Sequence, residues 1–95
     1  MTKAEIVADI VNKTGIEKPT VLASVEAFMD VIETSMANGE NIYLRGFGTF
    51  LVKKRAQKLA RNITKGTTVN VPAHNIPAFK PAKEFVAEVK SKVKV

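Results

Sequence analysis

The spacing of apolar positions changes from helical to strand-like and back along the chain. Ile6 and Ile10, with Val7 and Val11, recur every four residues, which marks one face of a helix. Thr2-Lys3-Ala4-Glu5 precedes them as a capping box, in which Thr2 accepts from the Glu5 backbone N–H and Glu5 reaches back. Thr14-Gly15 ends this helix. A second helix is expected from Lys18-Pro19, because proline suits a first helical turn. Val21, Leu22, Val25, Phe28, Met29, Ile32 and Met36 give it a long apolar stripe, and Asn38-Gly39 stops it. Only a few residues join the two helices, so a helical hairpin is predicted.

After Glu40 the period becomes two. Ile42 and Leu44 alternate with Tyr43 and Arg45, as in a half-buried strand. Gly46-Phe47-Gly48 reads as a turn. Thr49 to about Gln57 reads as a second strand, with Phe50 and Val52 on one face, and Thr67 to about Ile76 as a third. From Pro81 to about Lys92 the helical period returns, with Phe85, Val86, Val89 and Val93 on the apolar side. Lys90 to Val95 is expected to fray. The fold class is therefore α+β. Residues 1–95 form a single domain with a helical hairpin over 1–40, a three-stranded antiparallel sheet over 41–80, and a C-terminal helix and tail over 81–95.

Charge adds a second layer to this picture. Residues 1–50 sum to −3 and residues 51–95 to +9. No acidic residue occurs between Asn41 and Lys83, whereas Arg45, Lys53, Lys54, Arg55, Lys58, Arg61, Lys65, Lys80 and Lys83 all do. A surface evolved only for solubility mixes its signs, so a one-signed window of this length points to a polyanion, most commonly nucleic acid. The segment from Lys53 to Lys65 has few large apolar residues and no core to rest on. It predicts a β-ribbon arm over about 53–73 that protrudes from the body. About ten residues per strand would reach about 30 Å, close to one turn of duplex at about 34 Å.

Other function classes find little support. The chain has no cysteine, which excludes disulfides and thiolate metal sites. His74 is the single histidine, with no cluster of ligands and no orienting acid nearer in sequence than Glu84, so it reads as a surface residue. Gly46 and Gly48 are not a dinucleotide fingerprint, since Leu51 stands where a third glycine would be. No cofactor and no catalysis are expected. No apolar run approaches the roughly 20 residues of a membrane span. MTKAEIVADI lacks the basic start and apolar core of a secretory signal, so a cytoplasmic location is expected.

The motifs themselves are specific. Gly46-Phe47-Gly48-Thr49-Phe50, Arg55, Arg61-Asn62, Gly66, Ile76-Pro77-Ala78-Phe79-Lys80 and Lys83 form a series that resembles the bacterial histone-like family of HU and integration host factor, over nearly the whole chain. HU and integration host factor are counted among minor-groove architectural proteins. The resemblance implies an intertwined dimer whose arms curl around duplex DNA in the nucleoid. It implies that Arg61 and Asn62 at the arm tip meet base edges in the minor groove, while Lys53, Lys54, Arg55, Lys58 and Lys65 hold phosphates along the arm. Lys3, Lys80 and Lys83 are the implied phosphate contacts of the body.

The chain departs from the family where the proline that wedges between base pairs is Ile63, and where family glycines are Ala60 and Ala82. Isoleucine is still an apolar wedge but lacks the ring. The expected partners are double-stranded DNA, including kinked or damaged duplex, RNA, and a second copy of the chain or a paralogue. Little sequence preference is expected; the alternative is a sequence-specific bender of the integration host factor type. A basic protein of anionic membranes is the rival from another class. It ranks lower because the cations lie on a ribbon and the first two helices are rich in acids.

Overall fold

The computed structural model describes residues 1–62 and 67–94; for Ala60, Arg61, Asn62, Thr67 and Val69 it describes the backbone alone. The chain divides into two compact units, Met1–Ser35 and Met36–Val95.

In the first unit, α1 spans Lys3–Thr14 and the greater part of α2 (Lys18–Ala37) follows. The Glu5 N–H donates to Thr2 Oγ1 at 3.3 Å, as the capping box predicts. The return contact differs in detail: the Thr2 hydroxyl donates to Glu5 Oε1 at 3.3 Å, so the carboxylate meets the side chain of the cap. At the other end Gly15 takes φ 74°, a conformation that costs glycine nothing, and its N–H donates to Val11 O at 2.8 Å. The Thr14 hydroxyl donates to Ile10 O at 2.7 Å and accepts from the Ile16 N–H at 3.2 Å, which fixes the exit of the chain. Val7 and Val21 are the buried hydrophobic side chains among the described residues. Phe28, Met29 and Val31 on α2 remain exposed, so the apolar stripe seen in the sequence is only partly covered.

The second unit is built on β1 (Ile42–Leu44), β2 (Gly48–Arg55) and β5 (His74–Pro81), in the order β1-β2-β5, all antiparallel. Between β1 and β2 the chain turns through Gly46 at φ 80°, and the Phe47 N–H donates to Leu44 O at 2.9 Å. Asn41 extends the short strand: its Oδ1 accepts from the Val52 N–H at 3.0 Å, one step beyond the Ile42–Phe50 pair. Pro77 and Pro81 sit on β5, which is an edge strand, where a missing N–H is tolerated. The helix α3 spans Lys83–Lys92. It starts later than the apolar period predicts, because Pro81 is held in the ladder opposite Gly48.

The rings of Phe47, Phe50, Phe79 and Phe85 join this sheet to α3. Phe79 lies 4.8 Å from Phe50 and 5.3 Å from Phe47, and Phe47 lies 5.3 Å from Phe85 between ring centroids. These are ordinary distances for favourable aromatic pairs, worth about 0.5–1.5 kcal/mol each beyond area burial. The Ala82 N–H donates to Phe47 O at 2.9 Å and ties the start of α3 to the turn.

The second strand, expected to about Gln57, ends at Arg55 and is followed by a further strand, and the third, expected from Thr67 to about Ile76, is broken in two. β2 ends at Arg55 and β3 (Lys58–Asn62) follows; β4 (Thr67–Val71) precedes β5. The two-stranded β3–β4 ladder is separate from the sheet. Ala56-Gln57 on one side and Pro72-Ala73 on the other interrupt the pairing. Pro72 has no N–H to give a ladder, and it holds Val71 in extended backbone. Gln57 Nε2 donates to Asn70 Oδ1 at 2.9 Å beside this joint.

Gly48 is the buried glycine against which the sheet closes. A Cβ there would stand 2.6 Å from both Lys80 O, which is backbone of the β2–β5 ladder, and the Phe79 ring, which is packed against Phe47 and Phe50. Gly48→Ala is therefore expected to destabilise the fold by about 1–3 kcal/mol through overpacking, read as a lower denaturant midpoint. Gly39→Ala, in open space, is the comparison that isolates this clash from backbone strain.

Candidate nucleic-acid interface

Strand alternation sorts the cations of the ribbon onto faces. In the β2–β5 ladder Thr49 pairs with Lys80, Leu51 with Ala78, Lys53 with Ile76 and Arg55 with His74. Directly opposed residues share a face, so Lys80, Lys53, Arg55 and His74 line one side of the sheet. The other side carries Phe50 with Phe79, Val52 with Pro77, and Lys54 with Asn75. Burial follows the distance from the body rather than the face. Thr49 to Val52 are half-buried, and Lys53, Lys54 and Arg55 are exposed. Phe50 and Val52 share a face, as their spacing predicts, and Leu51 on the opposite face is half-buried as well.

Beyond the joint, Lys58 pairs with Val71, Arg61 with Thr68 and Asn62 with Thr67. Leu59 on β3 is 73% exposed, so no core lies beneath this part of the ribbon. Arg61 and Asn62 thus have a defined backbone at the far end of the ladder. Ile63 and Lys65 lie outside the described residues, as do Thr64 and Gly66.

Lys80 and Lys83 meet at an open depression of about 410 Å³, which Tyr43, Arg45 and Thr49 also line. Lys83 is the first residue of α3, and Ala82 at the cap position has no side-chain hydrogen bond to offer. The first N–H groups of that helix therefore have no side-chain cap, beside a lysine, which is the arrangement that favours an anion. Arg45 was not among the contacts inferred from the sequence. Its signal was present, since it lies inside the acid-free window directly before the Gly-Phe-Gly turn.

Lys3 belongs to the first unit and is engaged there. Its Nζ donates to Glu26 Oε1 at 3.2 Å, with both side chains about half exposed. An exposed pair of this kind is worth only about 0–1 kcal/mol and gives way easily to a phosphate. Lys53, Lys54, Arg55, Lys58, Lys80 and Lys83 have no acidic partner among the described residues; the other ion pair joins Lys92 to Glu88 at 3.0 Å.

Among the described residues no group of three or more histidine, cysteine or carboxylate side chains could hold a metal ion, and no helix is long and apolar enough to cross a membrane.

Comparison with known proteins agrees with this geometry. The family model described as bacterial DNA-binding protein matches residues 1–90. The SPbeta prophage-derived DNA-binding protein HU 2 of Bacillus subtilis is 40% identical over 92 residues, covering 97% of this chain and all of that protein. The DNA-binding protein HU of Thermus thermophilus is 40% identical over 92 residues, covering 95% of this chain and 93% of its own length. Anabaena HU, solved in a cocrystal with DNA, superposes with a TM-score of 0.89 at 29% identity, covering 94% of this chain and 97% of that one. With a helical pair, an antiparallel sheet with a paired ribbon and a final helix, and with the family model matched over residues 1–90, the chain belongs to the bacterial DNA-binding protein family that includes HU.

Proposed function

We propose that the protein is a non-catalytic, architectural DNA-binding protein that grips duplex DNA with little regard to sequence and bends it. The observation that carries this reading is the row of cations on one face of the β2–β5 ladder, with Lys58 on the separate β3–β4 ribbon, and no carboxylate in the same stretch of chain. Neutralising phosphates releases condensed counterions, which supplies affinity without reading bases. Lys53, Arg55 and Lys58 hold phosphates along the arm, with Lys54 and Lys65. Lys80, Lys83 and Arg45 do so at the body, and Lys3 exchanges Glu26 for a phosphate. Arg61 and Asn62 enter the minor groove and Ile63 wedges a base step, exchanging unstacking cost for a bend that brings more duplex onto the protein.

The working unit in this reading is a dimer. Phe28, Met29 and Val31 on α2 and Val86 and Val89 on α3 are exposed, and few side chains are buried. A chain of this size usually needs a partner or staples to complete a core, and a second copy related by a two-fold axis is the simplest one. The whole chain then acts as one DNA-binding domain in the nucleoid. Kinked or damaged duplex, which costs less to deform, is favoured over straight duplex, and RNA is a weaker ligand.

The deciding experiment is end-to-end fluorescence energy transfer on a short random-sequence duplex, titrated at several salt concentrations. Binding with a shortened end distance, weakening steeply with salt, is the expected result. A large preference for one site over random duplex would instead favour a sequence-specific bender. Arg61→Ala is expected to lower affinity and bending together; affinity unchanged from wild type on both straight and kinked duplex would remove Arg61 from the interface. Ile63→Ala is expected to reduce the bend more than the affinity for pre-kinked duplex, and an unchanged bend would exclude the wedge. Arg45→Ala should weaken binding evenly across sequences and reduce the steepness of the log–log salt dependence by about 0.9 for each phosphate that the arginine neutralises.

A further inference from the structure

The single histidine of the chain stands in the cationic face, and its ring is already committed on one side. His74 Nδ1 lies 2.9 Å from the carbonyl oxygen of Pro72. A carbonyl oxygen can only accept, so Nδ1 carries a proton and donates. In the neutral ring Nε2 is then a bare acceptor, which repels a phosphate oxygen. With a second proton Nε2 becomes a donor and the ring a cation, and it can bind that oxygen. Because Nδ1 is occupied by Pro72, the ring cannot satisfy an anion by switching tautomer.

The surroundings direct an anion to this point. β2 is the strand paired with β5, and on this face it presents Arg55 directly opposite His74 and Lys53 on the diagonal. Lys80 follows on the same face of β5. Neither strand contains an acid. The charged groups facing His74 in the ladder are therefore cations, and the negative charge that would favour a second ring proton must come from a ligand.

We propose that His74 is a proton-coupled phosphate contact at the root of the arm, binding the nucleic-acid backbone through Nε2 as the imidazolium. This rests on the reading of the arm as the duplex-binding element. The proton comes from the buffer and ends on Nε2; no other bond is made or broken. By linkage, a protein that takes up a proton on binding must bind more tightly as pH falls. Histidine is the side chain that ordinarily titrates between about pH 5 and 8, so the effect falls in the physiological range.

The test uses the full chain and a random-sequence duplex at fixed salt, with dissociation constants measured at about pH 8 and about pH 6. Calorimetry in two buffers of different ionisation heat counts the protons taken up. Wild type is expected to bind about three- to tenfold more tightly at the lower pH, with net proton uptake. His74→Gln, which is polar and does not titrate, is expected to lose both effects while still binding at the higher pH.

Wild-type binding that is tight but independent of pH would overturn the proposal and leave the arm reading standing. The same pH dependence in His74→Gln would overturn it too. Failure of wild type to bind at either pH would remove both. The ring protons of the lone histidine provide a second readout by NMR. Their titration should move to higher pH in the complex, and identical free and bound titrations would overturn the proposal.

Discussion

The ladder between β2 and β5 couples two tasks that would otherwise need separate elements. It runs over eight consecutive pairs, from Gly48–Pro81 to Arg55–His74. Near the body its pairs include Phe50 and Phe79, whose rings join Phe47 and Phe85. Farther out the same pairing displays Lys53, Arg55 and His74. Register binds the two ends together, because a slip of one residue would invert both the aromatic and the cationic faces. Gly48 helps to hold that register, since only a residue without Cβ lets β2 lie against Lys80 and Phe79.

Packing weakens outward along this axis. The aromatic cluster and the bond from Ala82 to Phe47 lie at its inner end. The outer end carries Leu59 at 73% exposure. Between them Pro72 interrupts the pairing, and Gln57 and Asn70 join side chains beside the break. A two-stranded ribbon by itself is marginal in water, so this one depends on its backbone ladder. The joint separates the β3–β4 ladder from the sheet of the body.

The same economy is visible in the helices. Among the described residues Val7 and Val21 are the buried apolar side chains, while Phe28, Met29 and Val31 are exposed. Burying an apolar side chain of this size contributes about 1.5–3 kcal/mol, so two buried valines cannot account for the ordering of both helices. In the proposed dimer a second copy would bury this apolar surface, and stability would then depend on assembly.

Period and punctuation made the elements legible in the sequence. The repeats of α1 and α2, the Thr2 cap, Gly15 and the Gly46-Phe47-Gly48 turn are local signals, decided by residues within four positions of one another. The acid-free run of cations from Arg45 to Lys83 was equally plain, since charge is a property of composition. The family motifs pointed to DNA for the same reason, being short runs of fixed residues. The tertiary structure decided where the strands break, why Pro81 stays in a strand, and which cations share a face. Each depends on a partner far away in sequence: Pro72 interrupts pairing with residues near Gln57, Gly48 holds Pro81, and Arg55 meets His74 only through the register of the ladder. Arg45 joins Lys80 and Lys83 for that reason too. Pattern along a chain reports which face a residue takes, but neighbours across a sheet are set by the pairing, and pairing is a long-range choice.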